Sequence, residues 1–393
     1  MRITVLCTDL GIRVPGDKGA SMHLSSITSA FAAVGHEVQL VAVAGHEAPD
    51  TSFTAPLADV RLLPHPGRAD GLERERNKLA FVERVVVDVG PEIAAFEPDL
   101  VYERLSLFGD AGRRIVSGLT GVRHLVEVNA LLAEEDAQWR GLHLAALAGS
   151  VEREVLGAAD LTVAVSEQVR TKVLAAAPLA HCTVVENGAE VERFRTLPRR
   201  DDARRQLGLP ADAVIAAFVG ALRPWHGVDV AITAVSRTPH VHLAVVGDGP
   251  VRDELAELAA ALGVSNRVHF LGHRTHHDVA ACLAAADMAL APYPALDGFS
   301  FSPLKLYEYL AAGTPVIASS IGQIPAALAD GRFGTLVAPG DADALAAAML
   351  RVAHDPAATV RAAAGRQHAL AQHGWDDRAR RIVALAERPR ALA

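Results

Sequence analysis

The sequence predicts an α/β protein made of two doubly wound, Rossmann-like domains that face a central cleft. Three observations carry this. Short β-branched runs alternate with longer Ala- and Leu-rich stretches along nearly the whole chain, the pattern of parallel strands covered by helices on both faces. The runs fall into two series, separated by the polar segment Asn187–Asp202, which ends in charge. A chain of 393 residues is also more than one hydrophobic core usually fills.

The first series places strands at Ile3–Cys7, Glu37–Val43, Val60–Leu63, Leu100–Glu103, His124–Val128, Leu161–Val165 and Thr183–Glu186, with helices such as Ser21–Val34 and Glu135–Leu156 between them. The second places them near Val214–Val219, His242–Val246, Val268–Leu271, Met288–Ala291 and Pro315–Ala318. The domains are therefore expected at residues 1–192 and 193–374. His373-Gly-Trp-Asp376 interrupts helical sequence, and residues from about 375 to 393, with a helix over Asp377–Glu387, are expected to pack back on the first domain. Ligands of open α/β sheets bind outside the carboxyl ends of the strands, so the cleft is the expected site.

Composition narrows the function classes. Half the residues are hydrophobic, so burial is not limiting. A net charge of −8 provides no electrostatic footprint for nucleic acid, and no Lys/Arg block marks a dock on anionic lipid. Cys7, Cys182 and Cys282 stand far apart without metal-ligand spacing and fit reduced core thiols, which points to a cytoplasmic location. The N-terminus lacks a long apolar region, and no apolar run reaches the roughly 18 residues of a membrane span, so stable membrane insertion is not expected. His276 and His277 are adjacent and point apart on a helix, and no metal site is expected. Gly-x-Ser-x-Gly is absent.

The most informative local stretch is Asp297–Ser319, which reads as a loop that holds an anion at the start of a helix. Ser302 is a good N-cap, Pro303 suits the first helical position, and Gly313 is the C-terminal stop of a helix reaching about Ala312. On that helix Ser302, Lys305, Glu308 and Tyr309 share a polar face, and Leu304, Tyr307 and Ala311 a core face. Lys305 falls in the first turn, where unpaired N–H groups already create positive potential, so an unliganded helix loses roughly 0.3–1 kcal/mol to a cation there. A phosphate at that end reverses the sign. The alternative is a solvated Lys305–Glu308 pair on an ordinary surface helix.

Three further glycine-bearing loops follow strands and precede helices: Gly16–His23, Val219–Gly227 with Gly220, Arg223 and His226, and Gly247-Asp-Gly-Pro250. Each alone reads as an ordinary turn. Tyr102-Glu103-Arg104 and Glu127-Val-Asn129 end strands with polar groups on the side where ligand contacts belong.

Taken in order, the glycine-bearing first loop, Gly35-His-Glu-Val38, Ala164-Val-Ser166, Val185-Glu-Asn-Gly188, Phe218-Val-Gly220, Val246-Gly-Asp-Gly-Pro250, Phe270-Leu-Gly272 and Ser302–Ser319 resemble the retaining, nucleotide-sugar-dependent glycosyltransferases of family 4, with the two-domain GT-B fold. The resemblance implies an acceptor-side first domain and a donor-binding second domain. Glu308 matches the second glutamate of the family's Glu-seven-residues-Glu signature, which binds the donor ribose hydroxyls. Ala221 and His226 stand where many members carry an arginine and a lysine for the donor diphosphate, which leaves Arg223 and Lys305 as the candidate cations. With Asn129 they form the candidate catalytic set. Donor contacts are further expected from Ser300, Phe301, Ser302, Leu304, Gly19, Gly220, Gly247 and His273, and acceptor contacts from Lys18, His23, Glu103, Arg104 and Glu127.

Two departures stand out. Ser300 replaces the first signature glutamate, with Asp297 nearby, and Asn129 replaces an active-site histidine. The implied reaction is retaining transfer of a sugar from a nucleoside diphosphate sugar, with UDP or GDP as carrier, to a small soluble acceptor such as a natural-product intermediate. The donor diphosphate takes the acceptor's proton, and neither cofactor nor metal is required. Ser300 and Asn129 also motivate a catalytically degenerate nucleotide-sugar-binding subunit. A GT-B-like epimerase would need acid/base groups around the sugar, which the sequence does not reveal.

Overall fold

In strand β1 (Arg2–Cys7) every residue from Ile3 onward is buried, as a strand covered by helices on both faces requires. The structure, a computed structural model, describes residues 1–16, 18–274, 276–296 and 304–388. Around β1 lie β2 (Arg13–Val14), β3 (Glu37–Ala44), β4 (Asp59–Leu63), β5 (Leu100–Arg104), β6 (Arg123–Val128), β7 (Leu161–Ala164) and β8 (Cys182–Val184). They form an eight-stranded sheet in the order β2-β3-β1-β5-β6-β7-β8, with β4 also paired to β3, and the pairings are parallel.

A second sheet has six parallel strands, β9 (Val214–Val219), β10 (Val241–Val246), β11 (Val268–Gly272), β12 (Met288–Ala291), β13 (Val316–Ser319) and β14 (Thr335–Val337), in the order β11-β10-β9-β12-β13-β14. Both are Rossmann-like parallel sheets. The strand order reverses at β1, between β3 and β5, and again between β9 and β12. Loops leaving the carboxyl ends of these strands are the places where such sheets bind ligands.

Contacts divide the chain into two units, one holding Met1–Asn187 and Trp375–Ala393, the other Gly188–Phe299 and Pro303–Gly374. In the first, helix Gly19–Ala33 buries Leu24, Ile27 and Phe31 at three- and four-residue spacing. Helix Trp375–Ala386 packs against it, burying Trp375, Ala379, Ile382, Val383 and Ala386 at the same spacing. The rings of Trp375 and His23 meet edge to face, with centroids 4.7 Å apart. No helix among the described residues is long and apolar enough to cross a membrane. Cys7, Cys182 and Cys282 are free thiols, and burial pushes each of them up.

The structure differs from the sequence expectation in three places. Strands β2 and β14 are additional, and at 2 and 3 residues they are too short to show a pattern. The expected helix Glu135–Leu156 is two helices, Leu132–Trp139 and Ala145–Ala158. Gly141 takes a left-handed φ of 69° between them, and the buried carboxylate of Glu75 accepts the backbone N–H groups of His143 and Leu144, closing the helical path. Finally, the stripe that was to be polar on helix Leu304–Ala312 is not a solvent face: Tyr309 is fully buried, and Leu306, Tyr307, Leu310 and Ala311 enclose the helix on its other sides.

Candidate functional site

At the carboxyl ends of β5 and β6 in the first unit, parallel register sets Arg104 beside Glu127. The Glu127 carboxylate is buried and accepts from Arg104 Nη1 at 2.9 Å, from His23 Nε2 at 2.8 Å, from the Tyr102 hydroxyl and from the Asn129 amide nitrogen. Burial alone raises its pKa, but the contacts with His23, Arg104 and Tyr102 outweigh that and hold it at about 2. Burial keeps His23 below the usual histidine range, and a neutral imidazole with Nε2–H suits its place as a donor. A carboxylate only accepts, so Asn129 turns its nitrogen to Glu127 and leaves its carbonyl oxygen for another partner.

Glu103 alternates to the opposite face of β5. There its carboxylate accepts the Gly112 N–H at 3.2 Å and sits 2.8 Å from His124 Nε2, with 1% of the residue exposed. It braces the sheet against helix Ala111–Ser117 and is not an acceptor contact. His23 and Glu127 are likewise interior, 3% and 4% exposed, and Glu127 holds the side chains of Arg104 and Asn129 in place. Lys18 is exposed, its Nζ 3.5 Å from the Gly11 carbonyl, at the N-cap of helix Gly19–Ala33 with no side-chain cap bond. A β-carbon on Gly19 would meet nothing within 4 Å, so packing does not require glycine there.

In the second unit the loops after β9, β10 and β11 lean on one another. Gly220 N–H donates to Val246, Gly247 N–H to Gly272, and Leu222 N–H to Asp248. A β-carbon on Gly247 would lie 2.0 Å from the Gly220 carbonyl oxygen, so this glycine serves loop packing. Tyr309 anchors the end of β9: its hydroxyl accepts the Val219 N–H at 2.9 Å and faces the Leu290 carbonyl at 3.3 Å.

Beside that anchor, the Nζ of Lys305 is buried without a hydrogen-bond partner among the described residues. It stands 4.3 Å from the centre of the Phe218 ring and 5.4 Å from that of Tyr293. Burial lowers it to about 7, with Glu308 opposing. Burial likewise pushes Glu308 up to about 7, where Arg193 opposes the shift and Glu190 reinforces it. The solvated Lys305–Glu308 pair is thereby excluded. His226 Nδ1 bonds to the Ala221 carbonyl at 2.5 Å, and burial followed by the nearby Lys305 charge holds the ring at about 4, neutral at ordinary pH.

Arg223 is exposed, its guanidinium 5.9 Å over the Trp225 ring, and His273 is exposed just beyond β11. Leu304 is half-buried at the start of the helix. Ser300, Phe301 and Ser302, like Asp297 and the Ser302–Pro303 helix start, lie outside the described residues, as do the side chains of His276 and His277. Lys305, Gly220 and His226 thus come together, Arg104, Asn129, Glu127 and His23 form a second group, and each group belongs to its own unit. Sequence reading missed Phe218, Tyr293 and Tyr309 as site residues. Phe218 enters the sequence reading only as the start of Phe218-Val-Gly220 and Tyr293 stands between two prolines, and neither signals a place beside Lys305.

Comparison with known proteins speaks to the family and the fold. The family model described as Glycosyltransferase Family 4 matches residues 18–193, and that described as Glycosyl transferases group 1 matches residues 199–368. D-inositol 3-phosphate glycosyltransferases of Mycobacterium tuberculosis and Mycobacterium bovis are 33% identical over 318 residues, which is 75% of this chain. The chain spans 63% of the length of those relatives. Among solved structures, sucrose-phosphate synthase from Thermosynechococcus elongatus has a TM-score of 0.78 at 24% identity, covering 98% of both chains. Anabaena HepE in complex with UDP and glucose has a TM-score of 0.72 at 21% identity, covering 98% of this chain and 99% of that one. At these identities the structures speak to fold alone, that of two parallel-sheet Rossmann-like domains. Two family models that together run from residue 18 to 368, the inositol phosphate glycosyltransferase relatives and the shared architecture lead to one assignment: the chain belongs to the GT-B glycosyltransferases of the family 4 type.

Proposed function

We propose that the protein transfers a sugar, with retention at the anomeric carbon, from a nucleoside diphosphate sugar to a small acceptor of the natural-product kind. The observation that carries this is the buried Nζ of Lys305 behind the Gly220 loop, at the carboxyl end of β9, without a hydrogen-bond partner among the described residues. Leaving an ammonium in that setting is costly unless an anion completes it. A donor diphosphate at the start of helix Leu304–Ala312 does so, aided by the helix N-terminus.

The hard step is departure of the diphosphate while positive charge grows on the sugar. Lys305 offsets the charge gathering on the phosphate oxygens, and Arg223 adds a second cation from the solvent side. Glu308 receives the ribose hydroxyls. On the acceptor side, Lys18 lines the approach, and Arg104 offers N–H donors and Asn129 a carbonyl oxygen to acceptor hydroxyls. The departing phosphate takes the acceptor's proton on the same face.

A binding panel of nucleoside diphosphates, followed by NMR of the product of the sugar nucleotide that binds, tests the reading. Retained anomeric configuration supports it, and an inverted linkage overturns the mechanism. Binding with neither transfer nor donor hydrolysis favours the degenerate subunit that Ser300 and Asn129 suggest.

A further inference from the structure

We propose that the nucleoside diphosphate charges its own site: Lys305 takes up a proton when the donor binds, so that donor affinity and proton uptake are one event. The inference rests on the reading of the second unit as the donor site. Lys305 Nζ has neither a hydrogen-bond acceptor nor a carboxylate within 4.0 Å among the described residues. Its neighbours are the ring faces of Phe218 and Tyr293, which stabilise a cation less than water does.

Among the described residues, the groups that face it place no anion within ion-pair reach of the amine in the unliganded state. From the Gly220–Gly227 loop, His226 gives its Nδ1–H to the Ala221 carbonyl and is held neutral, while Arg223 is a permanent cation. From the segment after β12, the Tyr293 phenol is pushed up by burial and stays protonated. From the lysine's own helix, Tyr309 does the same, and Glu308, with Arg193 and Glu190 beyond it, is itself pushed up to about 7. A lysine at about 7 is mostly unprotonated one pH unit higher, and a diphosphate beside it restores the ordinary preference for the ammonium. Uptake is therefore greatest above neutrality and fades below it, where the unliganded lysine already holds its proton.

Calorimetric titration of the full chain with UDP and with GDP at about pH 8, in buffers of different ionisation enthalpy, reads the proton number directly. The terminal phosphate does not contribute, because its own second pKa lies near 6. The expected result is uptake of more than about half a proton per nucleotide, kept in Glu308→Gln and His226→Asn and close to zero in Lys305→Arg, whose guanidinium never deprotonates. Independently, the wild-type Kd should weaken as pH rises above 7, approaching about tenfold per unit. Binding without uptake, a flat Kd, or uptake that persists in Lys305→Arg overturns the inference and leaves the donor site standing. If neither nucleotide binds, or Lys305→Met binds as tightly as wild type, the donor-site reading falls and the inference with it.

Discussion

Lys305 reaches so far under the loop after β9 that a β-carbon on Gly220 would lie 2.9 Å from its Nζ. Gly220 also holds a φ of 143°, which side-chain-bearing residues rarely adopt. Gly220→Ala should therefore displace the ammonium and imitate Lys305→Met. Both variants are expected to lose at least about a hundredfold in transfer rate, the usual cost of one well-placed charge donor at the transition state. Steady-state kinetics with the cognate donor check this, and a Gly220→Ala enzyme of full activity would separate the loop from the lysine.

The same site predicts an unusual pH profile for the unliganded protein. Glu308 titrates near 7 in the fold against an ordinary 4.5, so between those values the folded chain holds a proton the unfolded chain lacks, and stability falls as pH rises. Lys305, near 7 against 10.5, has the opposite balance above 7, and stability recovers as pH rises further. These two groups together contribute a minimum near neutral pH. Melting temperatures across the range should show that Glu308→Gln flattens the falling limb and Lys305→Met the rising one.

Gly19 separates packing from binding. Open space surrounds its missing side chain at the start of a helix, where alanine is favoured over glycine by up to about 1 kcal/mol. Gly19→Ala should melt at or slightly above the wild-type temperature yet transfer at least about tenfold more slowly, because its methyl group fills the path along which a ligand approaches the backbone. Unchanged kinetics would remove Gly19 from the site.

Glu127 and Asn129 should part company under mutation. Glu127→Ala leaves the Arg104 guanidinium, the Tyr102 hydroxyl and His23 without their shared acceptor in the interior, and a loss of about 3–5 kcal/mol is expected on chemical unfolding. Asn129→Ala removes only a half-buried amide, so stability should change by about 1 kcal/mol or less while kcat/KM for the acceptor falls roughly tenfold.

The parallel architecture was legible because β1, β9 and β12 are short, apolar and evenly interrupted by helical sequence, which leaves few other ways to bury them. Lys305 was legible as an anomaly, a cation at the wrong end of a helix. Its aromatic surroundings were not, because Phe218 and Tyr293 meet it only after three segments distant in sequence converge. Glu103 was misread although the signal existed. In a strand Tyr102 and Arg104 share one face and Glu103 takes the other, so a ligand facing Arg104 cannot also face Glu103.

Chain order gives one more consequence. Helix Trp375–Ala386 belongs to the unit that holds Met1–Asn187, so the unit formed by Gly188–Phe299 and Pro303–Gly374 is, in effect, inserted into it. During synthesis the described strands and helices of the inserted unit emerge before helix Trp375–Ala386 of its host. Until residue 386 emerges from the ribosome, the surface of Gly19–Ala33 that meets Trp375 stays bare, and a nascent or truncated chain exposes it to chaperones and proteases. Damage to helix Trp375–Ala386 should therefore be felt first in the unit that carries Asn129, and only later in the one that carries Lys305.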